Sequence, residues 1–225
     1  KITVLGISAF YHDSAAALVK NGEIIAAAQE ERFTRVKFDA NFPKNSISYC
    51  LREANLKISD IDEVVFFENS HLKFDRILSI YTKYLPHSFT QLIKALYIWF
   101  SQKLYLEKKI AKELGWKKPI KKIEHHLSHA ASAYYPSNFN DSAILILDGV
   151  GEWACTTIGH GHGKKIELLK EIRFPHSLGM FYSAFTQFTG FKVNSDEYKL
   201  MGLAPYGIPK YKEKILKWIP KNYNY

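Results

Sequence analysis

The chain opens on short apolar runs separated by turn residues. Residues 2–8 are β-prone, and the apolar runs 15–20 and 23–29 flank Asn21-Gly22. An Asn-Gly pair between two such runs predicts a hairpin, because both turn residues must take positive φ. The chain is therefore expected to begin as a β-meander. Over residues 45–55, Ile47, Cys50, Leu51 and Ala54 recur at helical spacing. The unbroken array Val64-Val65-Phe66-Phe67 then predicts a buried strand over 62–68. Residues 71–118 are rich in lysine and aromatics, and Leu92, Leu96, Phe100 and Leu104 fall at helical spacing, so the segment reads as a helical insertion packed on the sheet. The alanine-rich stretch 124–135 predicts a helix closed by Pro136, and 143–147 a strand that ends on Asp148-Gly149-Val150-Gly151-Glu152. A second meander is expected from 153–159 and 166–174 around a glycine-punctuated loop at 159–163, followed by a helix over about 177–189. A loop at 191–209 and a lysine-rich, helix-like segment at 210–221 come last.

The two blocks share one plan: a strand, an Asp-bearing turn, a hairpin and an apolar helix. His12-Asp13-Ser14 occupies the turn of the first block and Asp148-Gly149-Val150 that of the second. Such self-similarity points to duplication. Two lobes that each aim an Asp-bearing turn into a cleft are how actin-like ATPases and sugar kinases hold phosphates and metal, an analogy at the level of fold. The expected class is α/β with an actin-like ATPase fold. The first lobe is expected complete over 1–140, with its insertion at about 71–118, and the second incomplete over 141–225. Because the second block stops before its remaining strands, the chain is expected to be truncated or one part of a split protein.

With 225 residues, 47% hydrophobic and 24% charged, the chain is long enough to bury a sizeable core. Lys83, Lys94 and Lys103 break the most aromatic stretch well short of the ~20 apolar residues that span a bilayer. The N-terminus lacks a signal-peptide pattern, so a cytoplasmic location without membrane attachment is expected. Cys50 and Cys155 have no CxxC partner, which excludes a disulfide framework and a thiolate zinc cluster. The 31 Lys+Arg against 22 Asp+Glu give a net charge of +9, with lysines concentrated at 103–122, 164–170 and 210–221. No RNA-binding signature, zinc finger or Arg-rich arm accompanies them, so charge alone does not argue for nucleic acid.

His125 and His129 stand four apart on a predicted helix, so both imidazoles project from one face and can grip one cation. Asp148, at the end of the following strand, is the third candidate ligand, since α/β folds present ligand-contacting groups there. Two imidazoles and a carboxylate suit Zn²⁺, Fe²⁺ or Mn²⁺ better than Mg²⁺ or Ca²⁺. His126 points elsewhere and reads as structural. On an actin-like plan, the His12-Asp13-Ser14 turn would approach phosphate oxygens. Ser14, Lys37, Asn194 and Lys199 are candidate contacts for a nucleotide or other anion. A Ser/His/Asp triad is disfavoured: there is no GxSxG elbow, and the three are neighbours in sequence. His160 and His162 read as decoration of a hairpin loop.

Five ordered stretches carry a resemblance: Gly6-Ile7-Ser8-Ala9-Phe10-Tyr11-His12-Asp13-Ser14-Ala15-Ala16, Ala28-Gln29-Glu30-Glu31-Arg32-Phe33-Thr34-Arg35, His125-His126-Leu127-Ser128-His129-Ala130, Leu147-Asp148-Gly149-Val150-Gly151-Glu152-Trp153 and Met201-Gly202-Leu203-Ala204-Pro205-Tyr206-Gly207. Together they closely resemble the carbamoyltransferase family of nodulation and antibiotic O-carbamoylation enzymes. The resemblance implies a Kae1-like, actin-like N-terminal domain and a YrdC-like C-terminal domain, the latter supplied in cis or in trans. It further implies that carbamoyl phosphate and ATP yield carbamoyl-adenylate, whose carbamoyl group passes to a hydroxyl of a small-molecule acceptor. Metal ligands then fall on His125, His129 and Asp148, and the resemblance makes His12, with Asp13, the candidate catalytic pair near the transferring group. Asp196 departs from the family, which usually has glycine in its Asn-Ser-Gly-Glu-Tyr-Lys stretch. The later Gly-Gly nucleotide segment has no counterpart, so this chain alone is expected to be inactive. Two other readings stay open: a non-catalytic metal- or nucleotide-binding remnant, and a Kae1-like component of tRNA threonylcarbamoyl transfer.

Overall fold

The computed structural model describes residues 2–101 and 103–219. The chain falls into two compact units, Lys1–Ser128 and His129–Tyr225, a division earlier in the chain than the expected lobe boundary.

In the first unit, β1 (Thr3–Ser8), β2 (Ala15–Lys20) and β3 (Glu23–Gln29) form the expected meander. Asn21 and Gly22 turn it at φ +54° and +89°, as their identities require. A one-turn helix α1 (Glu31–Thr34) and the longer α2 (Lys44–Glu53) follow, then β4 (Glu63–Phe66). Next come α3 (Ser70–Lys83), α4 (Phe89–Ser101), α5 (Leu106–Leu114) and the short β5 (Lys121–Lys122). The strands make one mixed sheet of order β3-β2-β1-β4-β5, in which β4 runs parallel to both β1 and β5. The antiparallel meander is thus continued by parallel strands in one sheet, which makes the unit α/β.

Leu5, Ile7, Leu18, Val64 and Phe66 of this sheet pack with Ile47 and Cys50 of α2. Each such buried aliphatic side chain contributes roughly 1.5–3 kcal/mol. The Cys50 thiol reaches the carbonyls of Ala16 and Ala26 at 3.5 and 3.6 Å, and burial pushes its pKa up. Glu30, only 2% exposed, anchors the start of α2. Its carboxylate accepts from Asn45 N–H and Nδ2 at 3.1 and 2.7 Å, and from Ser46 N–H and Oγ at 2.8 Å each. The carboxylate thus does the capping that Pro43, at the N-cap position, does not.

The segment 71–118 is helical as expected, but it is not wholly an appendage. Leu106, Ile110 and Trp116 belong to the sheet's own core: α5 turns Leu106 and Ile110 onto it at four-residue spacing, and Trp116 follows just past the helix end. In α4 the buried positions are Leu92 and Trp99, whereas Phe100 of the expected stripe is 56% exposed.

Helix α6 (His125–Tyr134) carries the division between the units. In the second unit, β6 (Asp141–Leu147), β7 (Ala154–His162) and β8 (Lys165–Arg173) form an antiparallel sheet in chain order. Then come α7 (Leu178–Phe188), α8 (Glu197–Leu203) and α9 (Lys212–Leu216). Of the helix-like segment expected at 210–221, residues 220 and 221 lie outside the described residues.

The glycine-punctuated loop expected at 159–163 is instead the continuation of β7, and the turn falls at Gly163, where φ is +59°. Gly159 and Gly161 are there for close approach. A Cβ on Gly159 would stand 2.8 Å from the Glu167 carbonyl oxygen, and one on Gly161 would stand 2.4 Å from the Tyr134 ring. No helix among the described residues is long and apolar enough to cross a membrane.

Candidate metal centre

Helix α6 buries one stripe at four-residue spacing, His126, Ala130 and Tyr134, at 3, 0 and 4% exposure. Ala130 and Tyr134 pack against Ile144 and Ile146 of β6. The stripe one position back holds His125, half-buried, and His129, exposed. The His125 ring stands edge-on to Phe67, with centroids 5.5 Å apart. His126 is the structural member of the trio, as the sequence suggested.

Asp148 follows the last residue of β6 and is held through its own main chain. Its N–H donates to the Cys155 carbonyl at 2.9 Å, and its Oδ1 accepts from Gly149 N–H at 2.6 Å. Ser177 Oγ donates to the carbonyls of Asp148 and Gly149 at 3.3 and 2.6 Å while accepting from Met180 N–H at 3.0 Å. One serine therefore caps α7 and clamps the Asp148 turn. Gly179 permits this contact, since a Cβ there would lie 2.4 Å from the Asp148 carbonyl oxygen. Neither Ser177 nor Gly179 stood out as functional in the sequence, where the pair reads only as a helix start. In space, His125, His129 and Asp148 each offer one ligand atom, and the three atoms lie within 4.8 Å of one another. Two imidazole nitrogens and a carboxylate oxygen at that separation fit a divalent transition-metal ion.

The His12 turn is built on strained backbone, with Phe10 at φ +70° and Asp13 at +49°. His12 Nδ1 meets Asp13 Oδ2 at 2.8 Å. A proton on Nδ1 facing that carboxylate leaves Nε2 as the basic nitrogen.

The other predicted contacts separate. Ser14 is 1% exposed, with its Oγ closed off from solvent. Its main chain is bonded to the Asp39 carbonyl and the Glu30 N–H, which fixes the turn. Lys37 is exposed and extends over the Phe38 ring, 5.0 Å from its centroid. Asn194, at φ +64°, donates its N–H to Glu197 Oε1 at 2.8 Å, and Ser183 Oγ donates to the same atom at 3.0 Å. Burial alone would raise the Glu197 carboxyl, but these donors hold its pKa below the usual range. Lys199 Nζ is bound to Asp196 at 2.8 Å, a hydrogen bond that raises its pKa. Asp196, which departs from the family pattern, thus engages one of the candidate anion contacts.

These features define an α/β protein with mixed and antiparallel sheets and a His-His-Asp donor set where a strand meets a helix. The model of the carbamoyltransferase N-terminus matches residues 3–224. The chain belongs to the carbamoyltransferase family. It is 54% identical to the uncharacterised protein sll1178 of Synechocystis sp., over 95% of this chain and 36% of that protein. It is 36% identical to the nodulation protein NolNO of Sinorhizobium fredii, over 89% of this chain and 28% of that protein. The chain thus spans about a third of the length of these relatives. Among solved structures, component A of the Acidaminococcus fermentans (R)-2-hydroxyglutaryl-CoA dehydratase aligns at TM-score 0.41 and 16% identity, over 85% of this chain and 56% of that one. YeaZ from Pseudomonas aeruginosa aligns at TM-score 0.40 and 15% identity, over 76% of this chain and 65% of that one.

Proposed function

We propose that this chain is the N-terminal part of an O-carbamoyltransferase, in which it receives carbamoyl-adenylate made from carbamoyl phosphate and ATP and passes the carbamoyl group to a hydroxyl of a small-molecule acceptor. The observation that carries the reading is the convergence of His125, His129 and Asp148 in a chain of this family. These three residues would hold a divalent ion, with Fe, Mn and Zn as the candidates by donor type. When bound, such an ion supplies Lewis acidity toward a carbonyl or phosphoryl oxygen.

The acceptor oxygen forms its new bond to the carbamoyl carbon, the bond from that carbon to the AMP phosphate oxygen breaks, and AMP leaves. The acceptor proton goes to His12 Nε2, and Asp13 stabilises the resulting imidazolium through Nδ1. Ser177 and Gly179 keep the Asp148 turn in place. Lys37 and Asn194 remain candidate contacts for the adenylate. Lys199 joins them only by giving up Asp196.

The test is AMP release by the full-length enzyme with ATP, carbamoyl phosphate and a panel of hydroxyl acceptors. His12→Ala should lower acceptor-dependent release by about a hundredfold or more, and His125→Ala should abolish it together with metal uptake. Undiminished release in both variants rejects the assignment.

A further inference from the structure

The hairpin of β6 and β7 carries a second set of metal-ligating side chains, outside the site described above. His160 and His162 lie two apart on one strand, so they share a face of the sheet. The antiparallel register sets Asp141 directly opposite His162. His162 Nδ1 stands 2.7 Å from Asp141 Oδ2, and His160 Nε2 stands 3.2 Å from Oδ1. One ligand atom from each of the three residues lies within 4.8 Å of the other two.

The arrangement follows from the packing behind it. The Tyr134 ring presses against the strand at Gly161, and its hydroxyl donates to the carbonyls of Asn140 and Gly163 at 3.0 and 3.1 Å. The strand between the two histidines is thereby held in extended form, and both imidazoles are committed to the outer face. On that face they are open to water, with side-chain exposures of 44 and 70%, and 62% for Asp141. Across the β7–β8 ladder, Lys165 pairs with His162 and Glu167 with His160. The nearest formal charges on that side therefore offset each other.

We infer that Asp141, His160 and His162 form a second divalent transition-metal site, taking Zn²⁺ or a similar borderline-soft ion with water filling the open positions. Two imidazoles and one carboxylate are the donor types such ions select, and three protein ligands with an open position leave room for exchangeable water. The contacts with Asp141 show that the three groups already converge on one point. A metal ion there replaces the shared protons rather than reorganising the hairpin. The site does not depend on the carbamoyl-transfer reading, because it shares no residue with the His125, His129 and Asp148 set.

The experiment uses the chelator-stripped full chain titrated with Co²⁺, followed by visible absorption, and with Zn²⁺, followed by calorimetry. The native chain should take up about two ions, and the double variant His160→Gln/His162→Gln about one. His125→Ala should retain the ion that the double variant loses. Circular dichroism checks that each variant is folded, and Asp141→Asn, which keeps the hairpin's shape, should weaken the same binding event. The proposal is overturned if the folded double variant binds as many ions as the native chain, or if His125→Ala removes all binding.

Discussion

At the scale of single residues, the buried carboxylates do most to fix local geometry. Glu30 ties β3 to the start of α2, and Glu30→Ala strands the buried Ser46 N–H and Oγ and takes the acceptor from the more exposed Asn45. The expected loss is about 3 kcal/mol, read from urea unfolding. Asp39, 4% exposed, accepts from Asn41 N–H at 2.9 Å and from Thr34 Oγ at 2.8 Å, which together hold its pKa below 3.8. A depressed folded pKa contributes stability that is fully present above the unfolded value and is lost as pH falls through the folded one. Unfolding free energies of Asp39→Asn should therefore fall less steeply than those of the native chain below about pH 5. The convergence of His125, His129 and Asp148 was legible in the sequence because a four-residue helical spacing and a strand end are local patterns. Glu30 was not, since nothing near it announces that residues 45 and 46 will arrive beside it. The burial of Ser14 was hidden for the same reason, since its main chain is bonded to Asp39 and Glu30, which are distant in sequence.

At the scale of elements, periodicity gave the meanders, α2 and α7 to within a few residues, and the Asn21-Gly22 turn outright. It failed at β7, where glycines normally mark turns. Gly159 and Gly161 are small because Glu167 and Tyr134 come too close for a side chain, a constraint visible only once the strands are paired and α6 is packed. The same logic assigns a function to α7. Its first turn abuts the Asp148 main chain, so Gly179→Ala must push the helix away from the turn that carries the carboxylate. With His125 and His129 untouched, metal affinity at that site should drop about 10–100-fold. Titration of a His160→Gln/His162→Gln background isolates the effect, and unchanged affinity would show that α7 does not position Asp148.

At the scale of the whole chain, the α/β class and the repeated strand-turn-hairpin-helix plan were readable from the sequence. The division inside α6 was not, because a continuous helix carries no mark of which residues cluster with which sheet. Metal binding should also register as global stability. At a hundred times the dissociation constant, each occupied site adds about 2.7 kcal/mol, provided the unfolded chain does not bind the ion. Chelator should reverse the gain, and variants of either cluster should show only part of it in thermal melts. Tyr134 gives this a mechanical side. Its ring fills the space behind Gly161 while its backbone closes the helix that opens with His125. Any bulk introduced between the two strand histidines would therefore act as a wedge under that helix, so the spacer inside a surface pair is fixed by how the helix is seated on the sheet.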